Sequence, residues 1–160
     1  MKNTIKSITV HFILLLILLF SAMVQAEHQK LIMGRSVEAF PETMTSLQEE
    51  IKKAGYVLSF VQRVDVGLTG MGFKTDKYRV VFFGKPEEME QLPKKYPQLA
   101  PYLPLAIAIF AEEQETVLTA MSPEFLVPAY LGENPELKVL FERWKKDMET
   151  IIEAVCYSQD

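Results

Sequence analysis

Cysteine is nearly absent from this sequence of 160 residues. The one cysteine, Cys156, lies four residues from the C-terminus, so an intramolecular disulfide is impossible. A chain of this length can bury a sufficient core without disulfides. We expect Cys156 to pack as a small apolar residue on a helix face. The alternatives are a disulfide between two chains and a reactive thiol.

Histidine is also scarce, which excludes several kinds of catalysis. His11 lies in an apolar N-terminal stretch, and His28 lies near the start of the expected mature chain, where termini are usually poorly ordered. Ser-His-Asp and Cys-His devices need a rigidly held histidine, and zinc sites need several Cys or His ligands. We therefore predict no catalytic triad, no metal site and no cofactor. The methionines are scattered singly, which favours core packing over copper binding.

Basic residues are outnumbered by acidic ones, 17 against 21, which gives a net charge of −4. Residues 1–26 hold two of the lysines, Lys2 and Lys6, and no acid, so the remainder carries a net charge of −6. Nucleic-acid-binding domains concentrate Lys and Arg because phosphate contacts dominate their affinity. Anionic membrane surfaces attract the same residues. The composition therefore argues against both partners.

The first 26 residues have the pattern of a secretory signal peptide. The two lysines precede an unbroken apolar run from Ile13 to Phe20, and Val24 and Ala26 occupy the −3 and −1 positions of a small-residue cleavage site. The run is shorter than the roughly 20 residues that a spanning helix needs. We expect cleavage after Ala26, one domain over residues 27–160, and a periplasmic or secreted location. The alternative is an uncleaved N-terminal anchor.

The first half of the expected domain is predicted to form a strand, a helix and a second strand. Residues 30–36 form a plausible strand, and a helix is predicted from Phe40, followed by a strand over Tyr56–Asp65. The helix ends at Gly55, a typical capping residue. Gly67, Gly70 and Gly72 then indicate a flexible loop rather than a phosphate-binding motif. The apolar stripe of the helix recurs at helical spacing: Met44, Leu47, Ile51 and Ala54.

The second half adds three strands and a long helix. Tyr78–Phe83 is a strand, and 86–103 carries four prolines, so we expect only short helical turns at 87–91 and 94–99. Residues 105–111 and 116–121 predict a hairpin with an acidic four-residue connection. The final helix, over about 135–158, has an apolar stripe that includes Trp144. Consecutive strands between two helices predict an α+β two-layer sandwich with a mainly antiparallel four- or five-stranded sheet.

Residues 55–123 resemble the domain-of-unknown-function 302 family. The features that carry the resemblance are Ala54-Gly55-Tyr56, the run from Tyr78 to Pro86, the run from Tyr102 to Ile109, and Ala120-Met121-Ser122-Pro123. The resemblance implies a two-layer sandwich, the capacity to dimerise, and no established activity. Many members of the family have cysteines where this chain has Gly84 and Leu105. Thiol, redox or metal roles that depend on those cysteines therefore do not carry over.

Two groups of residues are candidates for a binding site. If the second and third strands pair, Arg63, Asp65 and Arg79 can share a sheet face and bind an anion; an exposed cross-strand charge pair is the alternative. Lys74, Tyr78 and Lys85 are the candidates for an enzyme that uses neither histidine nor metal. The glutamates of the predicted hairpin connection are interpreted as solubilising charge.

The third and fourth strands are apolar on both sides, which predicts a cover for each face of the sheet. Two helices on one face leave a second set of side chains uncovered: Val81, Phe83, Ala108 and Phe110, or their alternates. A second copy of the chain, a small apolar ligand, or a lid formed by residues 86–103 can provide the cover. We therefore expect an exported, non-catalytic binding or assembly module, most simply a two-fold dimer. The alternative function is the histidine- and metal-independent enzyme.

Overall fold

The structure, a computed structural model, describes residues 31–126 and 134–157. Its strands are β1 (Leu31–Ser36), β2 (Val57–Arg63), β3 (Tyr78–Gly84), β4 (Leu105–Glu112) and β5 (Glu115–Met121). They form one sheet in the order β1-β5-β4-β3-β2, and all neighbouring strands are antiparallel. The predicted α+β architecture with an antiparallel sheet is therefore confirmed.

Two long helices cover one face of this sheet. The α-helices in the described residues are α1 (Phe40–Lys53), α2 (Val64–Gly70), α3 (Pro86–Lys95) and α4 (Pro135–Tyr157). Helix α1 contacts β2, β4 and β5, while α4 contacts β1 and β5 and also packs against α1. Helices α1 and α4 correspond to the two helices predicted from apolar periodicity.

Helix α1 ends as its sequence predicts. Gly55 has a φ of 80°, in the left-handed region. Its N–H bonds to the carbonyl of Lys52, and the N–H of Tyr56 bonds to the carbonyl of Ile51. This is the Schellman arrangement, which supplies partners for the last carbonyls of a helix. Leu47 and Ile51 of the predicted stripe are fully buried.

Strand β2 is shorter than predicted and carries a bulge. The register shifts between Leu58 and Phe60, so these two side chains lie on opposite faces rather than on one, as simple alternation had predicted. The chain then forms helix α2 in place of the glycine loop we expected. Asp65 lies in its first turn, and Gly72, with a φ of 89°, caps its end. Seven residues are too few for a periodic signal, which is why the sequence did not reveal this helix.

The connection from β3 to β4 is more helical than the prolines led us to expect. Helix α3 runs through Pro93, and a 3₁₀ helix follows over Pro97–Tyr102. Pro93 has no N–H to donate to the carbonyl four residues earlier, and α3 ends two residues after it, at Lys95. Leu92 and Leu99 enter the main core, so this connection closes the end of the sheet where β3 stops and β4 starts.

The hairpin between β4 and β5 is tighter than predicted. Glu112 pairs with Glu115, which leaves a connection of two residues rather than four. Glu113 has a φ of 54°, in the left-handed region that two-residue hairpin turns require. The guanidinium of Arg35 contacts the carboxylates of both Glu112 and Glu115. Their repulsion is thereby offset, and the strands stay paired up to the turn.

Helix α4 begins and packs as its sequence predicts. The side chain of Asn134 accepts hydrogen bonds from the N–H groups of Glu136 and Leu137, which is the role of an N-cap. The predicted stripe is buried, including Phe141, Trp144 and Met148.

Gly34 allows α4 to approach β1 closely. A Cβ at Gly34 would lie 2.6 Å from both the Sγ of Cys156 and the Cγ2 of Ile152. Cys156 is therefore a buried packing residue, as expected, and burial raises the pKa of its thiol to about 11.

No helix within the described ranges is long and apolar enough to cross a membrane. The expected signal peptide, residues 1–26, lies outside the described residues, so its cleavage stays a prediction.

Candidate functional site

The two faces of the sheet differ in their cover. We call the side under α1 and α4 the covered face; it includes the fully buried residues Val81, Phe83, Ile107, Ile109 and Leu118. The opposite side, which we call the open face, presents the alternate residues of each strand. Val80 and Phe82 share it with Ala106 and Ala108 because β3 and β4 pair directly at these positions. The predicted grouping of Val81 and Phe83 with Ala108 and Phe110 was therefore wrong, because Ala108 and Phe110 share the open face with the alternate β3 residues Tyr78, Val80 and Phe82.

Most of the open face is apolar, and its uncharged polar members are Thr119 and Gln62, which pair with Ala108 and Val80. Leu31, Met33, Phe60 and Met121 are each about half exposed, between 50% and 55%. The side chains of β3 and β4 between them, such as Val80, Phe82 and Ala108, are partly buried. The described part of the chain thus leaves this face largely uncovered. Its apolar and aromatic members, from β1 to β2, are Leu31, Met33, Val117, Met121, Ala106, Ala108, Phe110, Tyr78, Val80, Phe82 and Phe60.

Aromatic pairs give the open face a fixed shape on its β2 side. The rings of Phe60 and Phe82 are stacked, with centroids 4.5 Å apart and an interplanar angle of 6°. Tyr78 and Phe110 form an edge-to-face pair with centroids 5.9 Å apart. Such cross-strand pairs stabilise a sheet and leave ring surface available for contact. Charge on the face is concentrated in one corner, where Arg35 contacts Glu112 and Glu115.

In the predicted anion site, Arg79 is already paired with the carboxylate of Asp65. Arg63 and Arg79 lie opposite each other in β2 and β3, but Asp65 lies in α2 and accepts a hydrogen bond from Arg79. Both partners of this ion pair are largely buried. The hydrogen bond from Arg79, and a second from the N–H of Val66, lower the pKa of Asp65 below its usual range. The structure therefore brings these three residues together as an ion pair with a neighbouring arginine.

The residues proposed for an enzyme do not converge. Tyr78 begins β3 on the open face, and Lys85 follows the other end of that strand. Lys85 follows Tyr78 by seven positions, which corresponds to about 23 Å along an extended strand. Lys85 instead lies over the ring of Tyr56, with its Nζ 4.9 Å from the ring centroid. Lys74 lies in the exposed segment between α2 and β3.

A polar network between α3 and α4 was not found from the sequence. Glu88 accepts a hydrogen bond from the indole N–H of Trp144, at 2.9 Å, and another from Arg143. One turn further along α4, Asp147 accepts a hydrogen bond of 2.6 Å from the hydroxyl of Tyr56. Burial, and then the bond to Asp147, raise the pKa of Tyr56. The members of this network are far apart in the sequence and form no motif. Only the fold brings them together.

An open apolar groove lies at the end of the sheet, beside β2. Its volume is about 410 Å³, which is within the range of small-molecule sites. Residues of the 86–103 connection form one wall, and β2 and β3 form the other. We call it the end groove; its lining includes Val57, Ser59, Gly84, Met89, Pro93 and Ala100. Among the described residues, no cluster of acidic, His or Cys side chains is placed to hold a metal ion.

Comparison with known proteins identifies the fold family. The family model described as domain of unknown function DUF302 matches residues 33–155. The chain belongs to this family. A crystal structure of an uncharacterized conserved DUF302 protein from Bacillus stearothermophilus is similar, with a TM-score of 0.70 at 18% sequence identity. The similarity covers 81% of this chain and 99% of that chain. At this identity it shows the shared fold alone. Comparison with curated proteins finds no match.

The DUF302 match extends beyond the 55–123 core on which the resemblance rested, and includes both α1 and most of α4. In this DUF302 chain, Gly84 and Leu105 lie together at the end of the sheet, since the neighbouring Phe83 pairs with Leu105. Gly84 carries no side chain, and Met89 packs in the space that a Cβ would fill. Neither position can supply a thiol.

Proposed function

We propose that this protein is an exported, non-catalytic binding and assembly module whose binding surface is the open face. The observation that carries the proposal is the continuous apolar surface across all five strands. Exposed apolar patches of this kind usually mark an interface or a ligand site. The two edge residues Met33 and Phe60 are more than half exposed at opposite sides of it, so the patch spans the full width of the sheet.

A second copy of the chain is the occupant that fits this surface best. Five strands spaced about 4.8 Å apart and about six residues long give a footprint of roughly 500 Å². A standard interface buries about 800 Å² of accessible surface per partner, and a side-chain surface exceeds its flat footprint. Two copies would therefore bury roughly 1,000 Å² or more in total, which reaches the lower limit of a specific interface. A two-fold pair is the commonest closed assembly and matches each patch with itself.

The charge distribution supports the same arrangement. The described charges of the open face lie at one corner, where Arg35 is neutralised by Glu112 and Glu115. The centre, around Val80 and Ala108, is apolar. Two copies can therefore bring their centres together without burying an unpaired charge, which would cost several kcal/mol.

A small apolar ligand in the end groove is the competing candidate. It is supported by the groove's volume and by the wall that the 86–103 connection provides. The enzyme alternative is less well supported, because Tyr78 and Lys85 lie at opposite ends of β3.

The test is native mass spectrometry and sedimentation of the protein purified after export. We expect a dimer at micromolar concentration. Ala108→Lys places a charge at the centre of the open face and should shift the population to monomer. Gln91→Lys is the matched control, because Gln91 is exposed on α3 and off the face, and it should leave the dimer intact.

A monomer that retains a small molecule would overturn self-association and favour the end groove. A monomer without any ligand would count against both candidates. A dimer that survives Ala108→Lys would show that the interface lies elsewhere.

A further inference from the structure

The chain between β2 and β3 carries large apolar side chains at its surface. We call residues 63–77, which comprise the last residue of β2, helix α2 and the connection to β3, the α2 segment. Every residue from Thr69 to Lys77 is exposed. Val66, Met71 and Phe73 are exposed by 50%, 67% and 61%. The α2 segment therefore stands out from the fold and presents apolar surface to its surroundings.

The backbone holds these exposed side chains in a defined place. Gly72 has a left-handed φ of 89°, and the N–H of Phe73 bonds to the carbonyl of Leu68 at 3.0 Å. The N–H of Gly72 bonds to the carbonyl of Thr69, which completes the Schellman arrangement also found at the end of α1. Met71 and Phe73 therefore flank a fixed cap. The connection folds back beside the helix, since both line one shallow cavity, whose lining includes Val66, Thr69, Thr75, Asp76 and Lys77.

Positive charge surrounds these apolar side chains. The whole chain is acidic, which argues against a membrane partner, but its charge is unevenly distributed. Residues 63–79 contain four basic and two acidic residues, a net charge of +2, so the remainder of 27–160 carries −8. Arg63, Lys74 and Lys77 are exposed, and they form no ion pair with any residue that the structure describes. Their charges are available to an anionic partner.

We propose that the α2 segment docks the protein on the surface of an anionic lipid bilayer. Met71 and Phe73 enter the boundary between head groups and acyl chains, where exposed apolar side chains are buried on binding. Arg63, Lys74 and Lys77 contact the lipid phosphates, which attract basic residues next to a membrane surface.

The small size of the α2 segment favours a bilayer over an acidic partner protein. A specific protein interface buries about 800 Å² on each side, whereas this segment offers three large exposed apolar side chains within 15 residues. Insertion into a bilayer requires no matching surface. The inference goes beyond the proposed function and does not depend on it. The segment lies at the other end of β2 and β3 from the end groove, and docking requires no second copy of the chain.

The test is co-sedimentation of the exported protein with vesicles of phosphatidylcholine alone, or of phosphatidylcholine and phosphatidylglycerol in equal parts. We expect binding to the anionic vesicles only, and weaker binding at high salt, which screens charge. Lys74→Gln combined with Lys77→Gln should weaken binding about 25-fold, since each cation near the surface contributes about fivefold. Lys52→Gln combined with Lys146→Gln is the matched control. It removes the same charge from exposed positions on α1 and α4 and should have a much smaller effect.

Phe73 allows insertion into the bilayer to be measured directly. In Phe73→Trp the emission of the new indole should shift to shorter wavelength on anionic vesicles, because the ring leaves water. Trp144 is 1% exposed and contributes a constant background. Phe73→Ser should weaken binding at least about tenfold. Val139 is 65% exposed on α4, so Val139→Trp should show no shift and Val139→Ser should bind normally.

These variants change exposed side chains, so the fold should persist, and thermal unfolding checks this. The proposal is overturned if neither kind of vesicle binds, if both bind equally, or if Phe73→Ser binds as the natural protein does. Failure to bind vesicles would leave an acidic partner protein as the occupant of the α2 segment. A monomer that binds anionic vesicles would contradict the dimer and support docking, and a dimer that binds none would do the reverse.

Discussion

At the scale of single residues, the core depends on a few large side chains that the sequence pattern identified. Trp144 was predicted to be the central buried residue of the last helix, and it is 1% exposed. The structure adds a hydrogen bond from its indole to Glu88. Periodicity can place a side chain on the buried face of a helix, but it cannot show which distant acid will satisfy a polar atom there.

Trp144→Ala should lower the free energy of unfolding by about 3–5 kcal/mol, since it leaves a large cavity. Chemical denaturation measures this loss. Trp144→Phe keeps most of the apolar volume but removes the indole N–H, so its cost should be clearly smaller. Lys146→Ala, at an exposed position on the same helix, is the control and should change little. A loss within about 0.5 kcal/mol for Trp144→Ala would contradict the burial of this residue.

The ion pair between Asp65 and Arg79 should make the stability of the fold depend on pH. The hydrogen bond from Arg79 lowers the folded-state pKa of Asp65, while in the unfolded chain the pKa is about 3.9. The pair therefore contributes stability that is present above about pH 3.9 and is lost as the pH falls through the folded-state pKa. Compared with Asp65→Asn, the natural protein should be more stable at neutral pH, and the difference should shrink in acid.

An NMR titration of the Asp65 carboxyl checks whether Arg79 lowers its pKa. In Arg79→Gln its pKa should return toward the ordinary value. An unchanged pKa would show that Arg79 is not responsible.

At the scale of elements, the fold was predictable where a pattern repeats. Helices α1 and α4 could be predicted from their long apolar stripes and from capping residues such as Gly55 and Asn134. The sequence did not show the bulge after Leu58 or helix α2, because each depends on a few residues without a period. The alternation of residues also predicted two faces for each strand. It did not show which residues of neighbouring strands share one face of the sheet, because the register between strands is fixed by their pairing in the fold. That gap explains the wrong grouping of Val81 with Ala108.

The same limit applies to the candidate site. An uncovered apolar face could be predicted from doubly apolar strands. The polar network around Glu88 could not, because its members come from distant parts of the chain.

Glycine substitutions test how closely α4 packs on β1. Gly34→Ala places a methyl group 2.6 Å from the side chains of Cys156 and Ile152, so the helix must shift. Overpacking of this kind typically costs about 1–3 kcal/mol. Gly67→Ala is the matched control: nothing lies near its Cβ position, and alanine favours the helical conformation of α2 by about 0.5–1 kcal/mol. Thermal unfolding should separate the two variants. Destabilisation by Gly67→Ala would contradict the helix at 64–70.

At the scale of the whole molecule, the expected cleavage after Ala26 determines the length of the exported chain. The short apolar run and the small residues at Val24 and Ala26 predict removal of residues 1–26. The intact mass of the exported protein should correspond to a chain that starts at Glu27. Recovery of the full-length chain from membranes alone would contradict cleavage and favour the N-terminal anchor.

Self-association should couple the stability of the whole molecule to its concentration. If the open face is buried between two copies, association stabilises the folded state by mass action, and the unfolding temperature rises with protein concentration. A tenfold increase in concentration adds about 1.4 kcal/mol per dimer, which corresponds to a rise of about 2–4 °C. In Ala108→Lys the dependence should vanish, while Gln91→Lys should retain it. An unfolding temperature independent of concentration in the natural protein would mean that the apolar centre of the sheet remains exposed to solvent.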